Sequence, residues 1–335
     1  MKRTLIIAEA GVNHNGSLDL ACRLVDAAAD AGADIVKFQT FKAERLVAAS
    51  APLADYQQEA TADAYSSQLQ MLKRLELSAD DHRTLMERCR ERGIRFLSTA
   101  FDPESVAYLH SLGLGMWKIP SGEITNYPYL KSIAQFNEPT YMSTGMCTMG
   151  DVAKAVSALL ANGLSASNLT LLHCNTEYPT PMRDVNLAAM STLQREFGVD
   201  VGYSDHTVGI EVPIAAAALG ATVVEKHFTL NRTMEGPDHK ASLEPAELKA
   251  MVQAIRNVDV AIGSGRKCVT DSERGNIAVA RKSIVAATDI AEGELLTERN
   301  LTIKRPGTGI SPMRWNEVVG TRATRSYRTD DLIQL

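Results

Sequence analysis

The stretches Val201-Gly-Tyr-Ser-Asp-His-Thr207 and Val223-Val-Glu-Lys-His-Phe-Thr229 each begin with apolar residues and end in polar and ionisable ones. An apolar run of about five residues is typical of a strand that is buried on both faces. The polar residues then lie at the carboxyl end of the strand, which is the catalytic face of a parallel β/α barrel. We therefore expect His206 and His227 to project from neighbouring strand ends into one cavity.

Two histidines at equivalent strand ends indicate a site for a divalent metal. Neutral imidazoles on separate rigid elements can supply half of the ligands of such a site. The alternative is that both are hydrogen-bonded core histidines, because histidine is often partly buried. The neighbouring carboxylates of Asp205 and Glu225 favour the functional interpretation for the pair.

A unit of one apolar strand and one helix recurs along the chain up to residue 262. The first strand, Thr4 to Ala8, precedes a helix that Ser17 can cap and Gly32 can end. Eight strands alternate with eight helices, and this pattern predicts a (β/α)8 TIM barrel. An open doubly wound sheet is the alternative, but no glycine-rich phosphate turn follows the first strand at the required spacing. The predicted helices span residues 18–31, 79–92, 103–111, 127–135, 150–162, 185–197, 209–219 and 245–262.

The pattern changes after the last of these helices. Residues 1–262 are predicted to be the catalytic barrel, residues 263–279 a linker, and residues 280–335 a small β-rich domain with turn residues between short strands. About 55 residues are marginal for independent folding, so we expect this domain to dock on another surface. Residues 41–78, between the second strand and its helix, are too long for a routine loop and are expected to form a lid or wall.

Composition and charge exclude several classes of function. The chain has 335 residues and a net charge of -5, which gives no basic surface for nucleic acid. Its apolar stretches are too short for a membrane span. The five cysteines are far apart and have no paired spacing, as is typical of reduced thiols in a cytoplasmic protein. Cys174 lies inside an apolar run, so we interpret it as core filler.

The predicted strand ends carry hydroxyls, amides, carboxylates and two lysines, which suit a small, anionic, oxygen-rich substrate. Lys37 and Lys118 could neutralise a phosphate or carboxylate, with Ser121, Ser143 and Ser204 as hydrogen-bond donors. Either lysine could instead form a Schiff base, as in lysine aldolases, or a structural ion pair in the barrel. Position in the sequence does not decide between these roles.

Three further residues have open interpretations. Glu9 is a candidate general base or a clamp for sugar hydroxyls, with a barrel-lining salt bridge as the alternative. Asp238 lies in a turn after the last strand and can reach the cavity mouth, although turn statistics alone make it unremarkable. Arg305 lies on a loop of the small domain, and such an arginine is usually only solvated unless its domain covers a pocket.

Nine motifs, in order along nearly the whole chain, resemble the bacterial sialic acid synthases. They are Ile7-Ala-Glu-Ala-Gly-Val-Asn-His-Asn-Gly-Ser17, Val36-Lys-Phe-Gln-Thr40, Trp117-Lys-Ile-Pro-Ser-Gly-Glu123, Met142-Ser-Thr-Gly-Met146, Leu172-His-Cys-Asn-Thr-Glu-Tyr-Pro-Thr-Pro181, Ser204-Asp-His-Thr207, Glu225-Lys-His-Phe-Thr229, Gly236-Pro-Asp238 and Lys304-Arg-Pro-Gly-Thr-Gly309. The resemblance implies a TIM barrel followed by a small antifreeze-like (SAF) domain. It also implies condensation of phosphoenolpyruvate with N-acetylmannosamine to N-acetylneuraminate and phosphate, with Mn²⁺ or Mg²⁺ as cofactor.

The resemblance assigns roles to individual residues. It implies that His206 and His227 bind the metal and that Glu9 is the essential glutamate near the sugar. Arg305 would reach the N-acetyl group of the sugar in a partner subunit's barrel, which implies a domain-swapped homodimer. The implied contacts to phosphoenolpyruvate are Lys37, Thr99, Lys118, Ser121, Ser143 and Ser204, with Glu123 beside them. The residues implied around the acceptor sugar are Gln39, Tyr178 and Asp238.

Three alternatives stay open from the sequence. The acceptor could be a 2,4-diacetamido-2,4,6-trideoxyhexose, which would make the protein a legionaminate or pseudaminate synthase. The residues that face C4 and C6 of the acceptor would discriminate, and loop 41–78 is expected to supply part of that wall. A Schiff-base pyruvate aldolase would need no metal. A sugar-binding or structural protein is the third alternative, but it does not explain why polar residues follow all eight predicted strands.

Overall fold

The computed structural model describes residues 3–48 and 67–335. Eight parallel strands form a nearly closed barrel in the order β3-β2-β1-β8-β7-β6-β5-β4, which confirms the predicted TIM barrel. The barrel strands are β1 (Leu5–Gly11), β2 (Ile35–Thr40), β3 (Arg95–Ala100), β4 (Trp117–Ile119), β5 (Thr140–Ser143), β6 (Leu169–His173), β7 (Asp200–Asp205) and β8 (Val223–His227).

The helices pack around the barrel, and several have the bounds that the sequence predicts. The first helix begins after Ser17, whose side chain accepts from the amide of Leu20, and ends at Gly32 with a φ of 82°. The α-helices are α1 (Leu18–Ala31), α2 (Ala43–Leu46), α3 (Gln68–Arg74), α4 (Ala79–Arg92), α5 (Pro103–Ser111), α6 (Tyr127–Ala134), α7 (Met149–Ala161), α8 (Ala189–Phe197), α9 (Glu211–Ala218), α10 (Pro245–Ala261), α11 (Asp271–Ala280) and α12 (Trp315–Val318).

The inward-facing side chains of the barrel form an apolar layer below a polar one. Side chains alternate along a strand, so an inward residue is followed by another two positions later. Ile7 and Ile35 belong to the buried inner layer, and two residues on are Glu9 and Lys37. The inner apolar layer consists of Ile7, Ile35, Leu97, Met116, Tyr141, Leu172 and Val223. Because of this alternation, an apolar inward side chain is followed along the strand by an inward side chain at the polar opening of the barrel.

One inward position must be a glycine. A Cβ on Gly202 of β7 would lie 2.4 Å from the carbonyl oxygen of Val223 and 2.7 Å from Leu172 Cδ2. The close approach leaves no room for a side chain at this level of the barrel. Ser204 lies two residues later on the same strand, so the glycine lets β7 approach β8 just below the site.

The chain divides into two compact units, Met1–Ser264 and Gly265–Leu335. The second unit has its own buried core, which includes Ile284, Leu296 and Tyr327. Its strands β9 (Ser283–Ala286) and β10 (Leu301–Lys304) are antiparallel. The segment 263–279, predicted as a linker, differs from that prediction because most of helix α11 lies in it, after the capping residue Thr270.

The long connection 41–78 is described only at its two ends. Helix α2 and helix α3 lie there, and residues 49–66 fall outside the described part of the chain. The ends pack together in a small apolar cluster that contains Phe41, Met71 and Leu75. No helix in the described ranges is both long enough and apolar enough to cross a membrane.

Candidate active site

A cavity of about 490 Å³ opens at the carboxyl ends of the barrel strands. Every barrel residue that the sequence singled out as a site residue lines it. These residues are Glu9, Lys37, Gln39, Thr99, Lys118, Ser121, Glu123, Ser143, Tyr178, Ser204, His206, His227 and Asp238. Arg305 belongs to the second unit, where its Nε donates to the carbonyl oxygen of Ala280 at 3.1 Å.

Four buried charges of alternating sign run across the floor of the cavity. Lys37 Nζ lies 2.8 Å from Glu9 Oε2 and 3.7 Å from Glu225 Oε2. Lys118 Nζ lies 3.6 Å from Glu225 Oε1. All four side chains are buried. Each lysine therefore faces a carboxylate, and this pairing is what permits four charges in a volume with little water.

The two carboxyl groups in this row have different proton affinities. Burial raises the pKa of Glu9 to about 7, although Lys37 opposes the shift. Burial acts in the same direction on Glu225, but Lys118 and Lys37 on either side outweigh it and lower the pKa of Glu225. Glu9 is thus the carboxyl group that can take up or release a proton near neutral pH.

Hydroxyl groups complete the surroundings of the lysines. Lys37 Nζ donates to Thr99 Oγ1 at 3.0 Å, and Lys118 Nζ donates to Ser143 Oγ at 2.7 Å. Ser204 Oγ donates to Glu225 Oε1 at 2.8 Å. Ammonium and hydroxyl donors that converge on one volume can bind an anion with several oxygens.

The rings of Tyr178, His206 and His227 lie together on one side of the cavity. The ring centroids of the two histidines are 5.4 Å apart, and Tyr178 stacks on His206 at 4.1 Å. His206 Nδ1 contacts the carbonyl oxygen of Asn175, and its Nε2 lies 2.9 Å from the Tyr178 hydroxyl. Because a carbonyl oxygen only accepts, Nδ1 carries the proton, and Nε2 accepts from the Tyr178 hydroxyl.

Both imidazoles are neutral at pH 7, which is the form that binds a metal. Burial lowers the pKa of His206 to about 4. Burial and the nearby cations lower the pKa of His227 well below its usual range. The buried Nδ1 of His227 has no hydrogen-bond partner and lies 3.7 Å from Asp238 Oδ2.

These residues fit a metal that takes only part of its ligands from the protein. Across residues 3–48 and 67–335, no group of three or more His, Cys, Asp or Glu side chains is placed to hold a metal ion. Two neutral imidazoles, one of them with a tautomer fixed by the Asn175 carbonyl group, are a suitable pair of ligands. The remaining ligands would come from substrate oxygens or water. Mixed nitrogen and oxygen ligands favour Mn²⁺ over Mg²⁺, which prefers oxygen ligands alone.

A narrow polar corner lies where β1 ends. Gly11 has a φ of +52°, and a Cβ there would lie 3.2 Å from Glu9 Oε1, 3.4 Å from Gln39 Nε2 and 3.5 Å from Asp238 Oδ2. Gln39 Nε2 donates to Glu9 Oε1 at 3.3 Å. Burial raises the pKa of Asp238 to about 6. The absent side chain at Gly11 leaves this corner open to a hydroxylated ligand.

Sequence reasoning missed or misplaced some residues of the cavity. Glu225 was predicted at a strand end beside His227 but was given no role of its own, yet it lies between the two lysines. Cys174 was interpreted as core filler, but it lines the cavity and lies 3.3 Å from Ser121 Oγ. His173, the polar residue expected at the cavity end of the sixth strand, lies outside the cavity lining, and its Nε2 donates to the carbonyl oxygen of Val185 at 2.9 Å.

Known proteins resemble this chain over its whole length. Residues 24–267 match the NeuB family and residues 281–335 match the SAF domain. The chain is 54% identical, over 100% of both proteins, to an N,N'-diacetyllegionaminic acid synthase of Campylobacter jejuni. It is 49% identical to a protein of the same name from Legionella pneumophila, over 95% of this chain and 89% of that one. The solved N-acetylneuraminic acid synthetase from Leptospira borgpetersenii is 34% identical, with a TM-score of 0.72 over 82% of this chain and 90% of its own.

Proposed function

Because the chain belongs to the NeuB family, we propose that it condenses phosphoenolpyruvate with 2,4-diacetamido-2,4,6-trideoxymannose to give N,N'-diacetyllegionaminate and phosphate. The predicted enzyme class, a synthase of nonulosonic acids, is confirmed. Two sugars were considered as the acceptor. The names of the two relatives near 50% identity support the diacetamido trideoxyhexose rather than N-acetylmannosamine.

The row of alternating charges is the observation that carries this proposal. Phosphoenolpyruvate has a carboxylate and a phosphate, and the cavity offers two buried ammonium groups, each with a hydroxyl partner. We assign the phosphoenolpyruvate site to Lys37, Thr99, Lys118, Ser121, Ser143 and Ser204, with Glu123 beside it. Buried donors of this kind bind anions strongly because little water competes with them.

The proposed reaction begins when C3 of phosphoenolpyruvate attacks the aldehyde carbon of the open-chain sugar. Water then adds at C2 and gives its proton to the Glu9 carboxylate, which has a pKa of about 7 and can accept it. The tetrahedral C2 next expels phosphate by cleavage of the C–O bond, and its hydroxyl group loses a proton to leave the keto group of the product. The oxygen of the former aldehyde takes up a proton and becomes a hydroxyl group. The lysines hold the phosphate and the carboxylate through these steps.

His206 and His227 are the proposed ligands of Mn²⁺ or Mg²⁺. A bound divalent metal would polarise the aldehyde oxygen of the acceptor. Within the protein, the Asn175 carbonyl group fixes the tautomer of His206, and Tyr178 stacks against its ring. These contacts hold the imidazole in place before substrates enter.

The acceptor sugar is proposed to lie in the polar corner beside Gly11. Gln39 and Asp238 would bind its hydroxyl groups, and Tyr178 closes the other side. Arg305 and the domain-swapped homodimer stay predictions that rest on the resemblance. The cytoplasmic location also stays a prediction.

A product assay by mass spectrometry tests the proposal. The protein is incubated with phosphoenolpyruvate, Mn²⁺ and either acceptor, with and without a chelator. We expect chelator-sensitive formation of N,N'-diacetyllegionaminate. When the bridging oxygen of phosphoenolpyruvate is labelled with ¹⁸O, the label should appear in the released phosphate.

The variant His206→Ala tests the metal site. It should fold and lose metal binding in calorimetry. Pyruvate trapped on a lysine by borohydride, with no product from either sugar, would instead support the aldolase.

A further inference from the structure

The mouth of the cavity has two chemically different sides. Tyr178, His206 and His227, which belong to the β6–β8 side, present imidazole and phenol groups. Most of the lining residues that follow β1, β2 and β3 on the other side are apolar, although Gln68 among them is polar. This apolar arc consists of Val12, Leu46, Val47, Met71, Leu75 and Phe101.

The apolar arc is a supported wall with a reachable surface. Leu46, Val47 and Phe101 are partly exposed to the cavity. Behind them, Met71 is 1% exposed and Leu75 is 4% exposed, and both belong to the small apolar cluster at the ends of loop 41–78. Such a surface gains free energy when an apolar group of a ligand covers it, about 25 cal/mol per Å² removed from water.

The apolar arc adjoins the polar corner directly. Gly11, which leaves that corner open, is followed by Val12, the first residue of the arc. A sugar whose hydroxyl groups bind at Glu9, Gln39 and Asp238 would therefore have the arc beside it, within reach of its other substituents. The cavity as a whole matches a molecule with hydroxyl groups on one edge and alkyl groups on the other.

We propose that the apolar arc selects the acceptor, favouring a 6-deoxy sugar whose acyl amides end in methyl groups over a sugar with a hydroxyl at C6. This inference rests on the proposed function and identifies the surface that determines which acceptor sugar the enzyme prefers. A C6 hydroxyl against the arc would lose water without gaining a hydrogen bond, whereas a methyl group would be buried favourably. An apolar pocket discriminates between such analogues by factors of up to about 10²-fold.

Polar substitutions of nearly the same shape test the arc. Leu46→Asn and Val47→Thr place a polar group where the proposal needs an apolar one. The measured quantity is the ratio of kcat/KM for the diacetamido trideoxy sugar to kcat/KM for N-acetylmannosamine. We expect each variant to lower this ratio by about 10-fold, while the KM for phosphoenolpyruvate stays unchanged because none of the arc residues belongs to its proposed site.

Leu69→Asn is the matched control. Leu69 is partly buried and packs on the same apolar cluster, but it does not line the cavity. A general weakening of this region would lower both kcat/KM values and leave their ratio unchanged in all three variants. That result, from a wild-type enzyme that makes N,N'-diacetyllegionaminate, would overturn only the role of the arc. A wild-type enzyme that turns over neither sugar would remove the proposed function and this inference with it.

Discussion

Strands β7 and β8 carry ionisable residues on both of their faces, and the two faces differ in how completely those residues are paired. On the inner face, Glu225 lies between two lysines, and its buried Oε2 has no hydrogen-bond partner. On the outer face, Lys226 Nζ donates to Asp205 Oδ2 at 2.6 Å and also to the carbonyl oxygen of Thr207. Asp205 and Lys226 are both 0% exposed.

The outer group is a closed network. Asp205 also accepts from the amide and the hydroxyl of Thr207, each at 3.0 Å, so its oxygens are well satisfied. This network ties β7 to β8 immediately below His206 and His227. On the inner face, by contrast, the buried Oε2 of Glu225 has no hydrogen-bond partner and can accept a hydrogen bond from a ligand. Burial alone therefore does not identify an active site; incomplete pairing of buried charges does.

The largest expected effect comes from a change at Glu9, which belongs to the row of charges on the inner face of the barrel. Glu9→Gln removes the proposed base and should lower kcat by about 10²–10⁴-fold while the protein stays folded. The kcat/KM of the wild type should rise as the pH increases through about 7, because Glu9 accepts a proton only when ionised. The residual activity of the variant should lack this rise.

A matched change at the rim serves as control for Glu9. Glu123 lines the same cavity but is partly exposed and lies outside the row of charges. Glu123→Gln should alter kcat far less than Glu9→Gln. Equal losses in the two variants would contradict a special role for the inner group.

Breaking the outer group should instead affect stability. Lys226→Met leaves the buried Asp205 carboxylate without a counter-charge, and removal of one partner of a buried ion pair costs about 3–5 kcal/mol. Urea denaturation should show this loss. The double variant Asp205→Asn with Lys226→Met should recover part of it, because no charge is then left without a partner. A single variant as stable as the wild type would show that the outer pair contributes nothing to the fold.

The smallest expected effect is on the KM for the acceptor sugar, and it comes from a change at the mouth of the cavity. Gly11→Ala places a Cβ 3.2 Å from Glu9 Oε1 at a φ of +52°, which costs an alanine about 1–2 kcal/mol. We expect the KM for the acceptor sugar to rise several-fold and the KM for phosphoenolpyruvate to stay constant.

Gly93→Ala is the corresponding control. Gly93 has a φ of +68°, but nothing lies within 4 Å of its added Cβ. This variant should lose a similar amount of stability with no change in either KM. A rise in the acceptor KM of both variants would mean that backbone strain, rather than the filled corner, is responsible.

Local patterns predicted most of the fold. Helices α1, α4 and α5 have the bounds that the sequence indicates, because caps such as Ser17 and Gly32 are set by residues within one turn. The apolar runs gave the strand positions to within a few residues. Helix α11 was missed because none of its residues is buried, so no apolar periodicity marks it.

The sequence by itself determined which faces of the barrel strands point into the cavity. Polar groups placed two positions after an inward apolar residue must point to the barrel mouth, because side chains alternate along a strand. Lys37, Thr99, Lys118 and Ser143 line the cavity for this reason, each two positions after a residue of the inner apolar layer. Tyr178 and Asp238 lie beyond the strand ends, and the resemblance to the family is what assigned them to the site.

Only the tertiary structure decided how these residues pair. Whether Lys37 contacts Glu9 or Glu225 depends on distances between strands that are far apart in the chain. The low pKa of His206 and the raised pKa of Glu9 follow from burial, which no local pattern reports. The apolar arc likewise forms from residues after three separate strands. Alternation along a strand is a property of the local backbone, whereas pairing, burial and cavity shape depend on how the barrel closes.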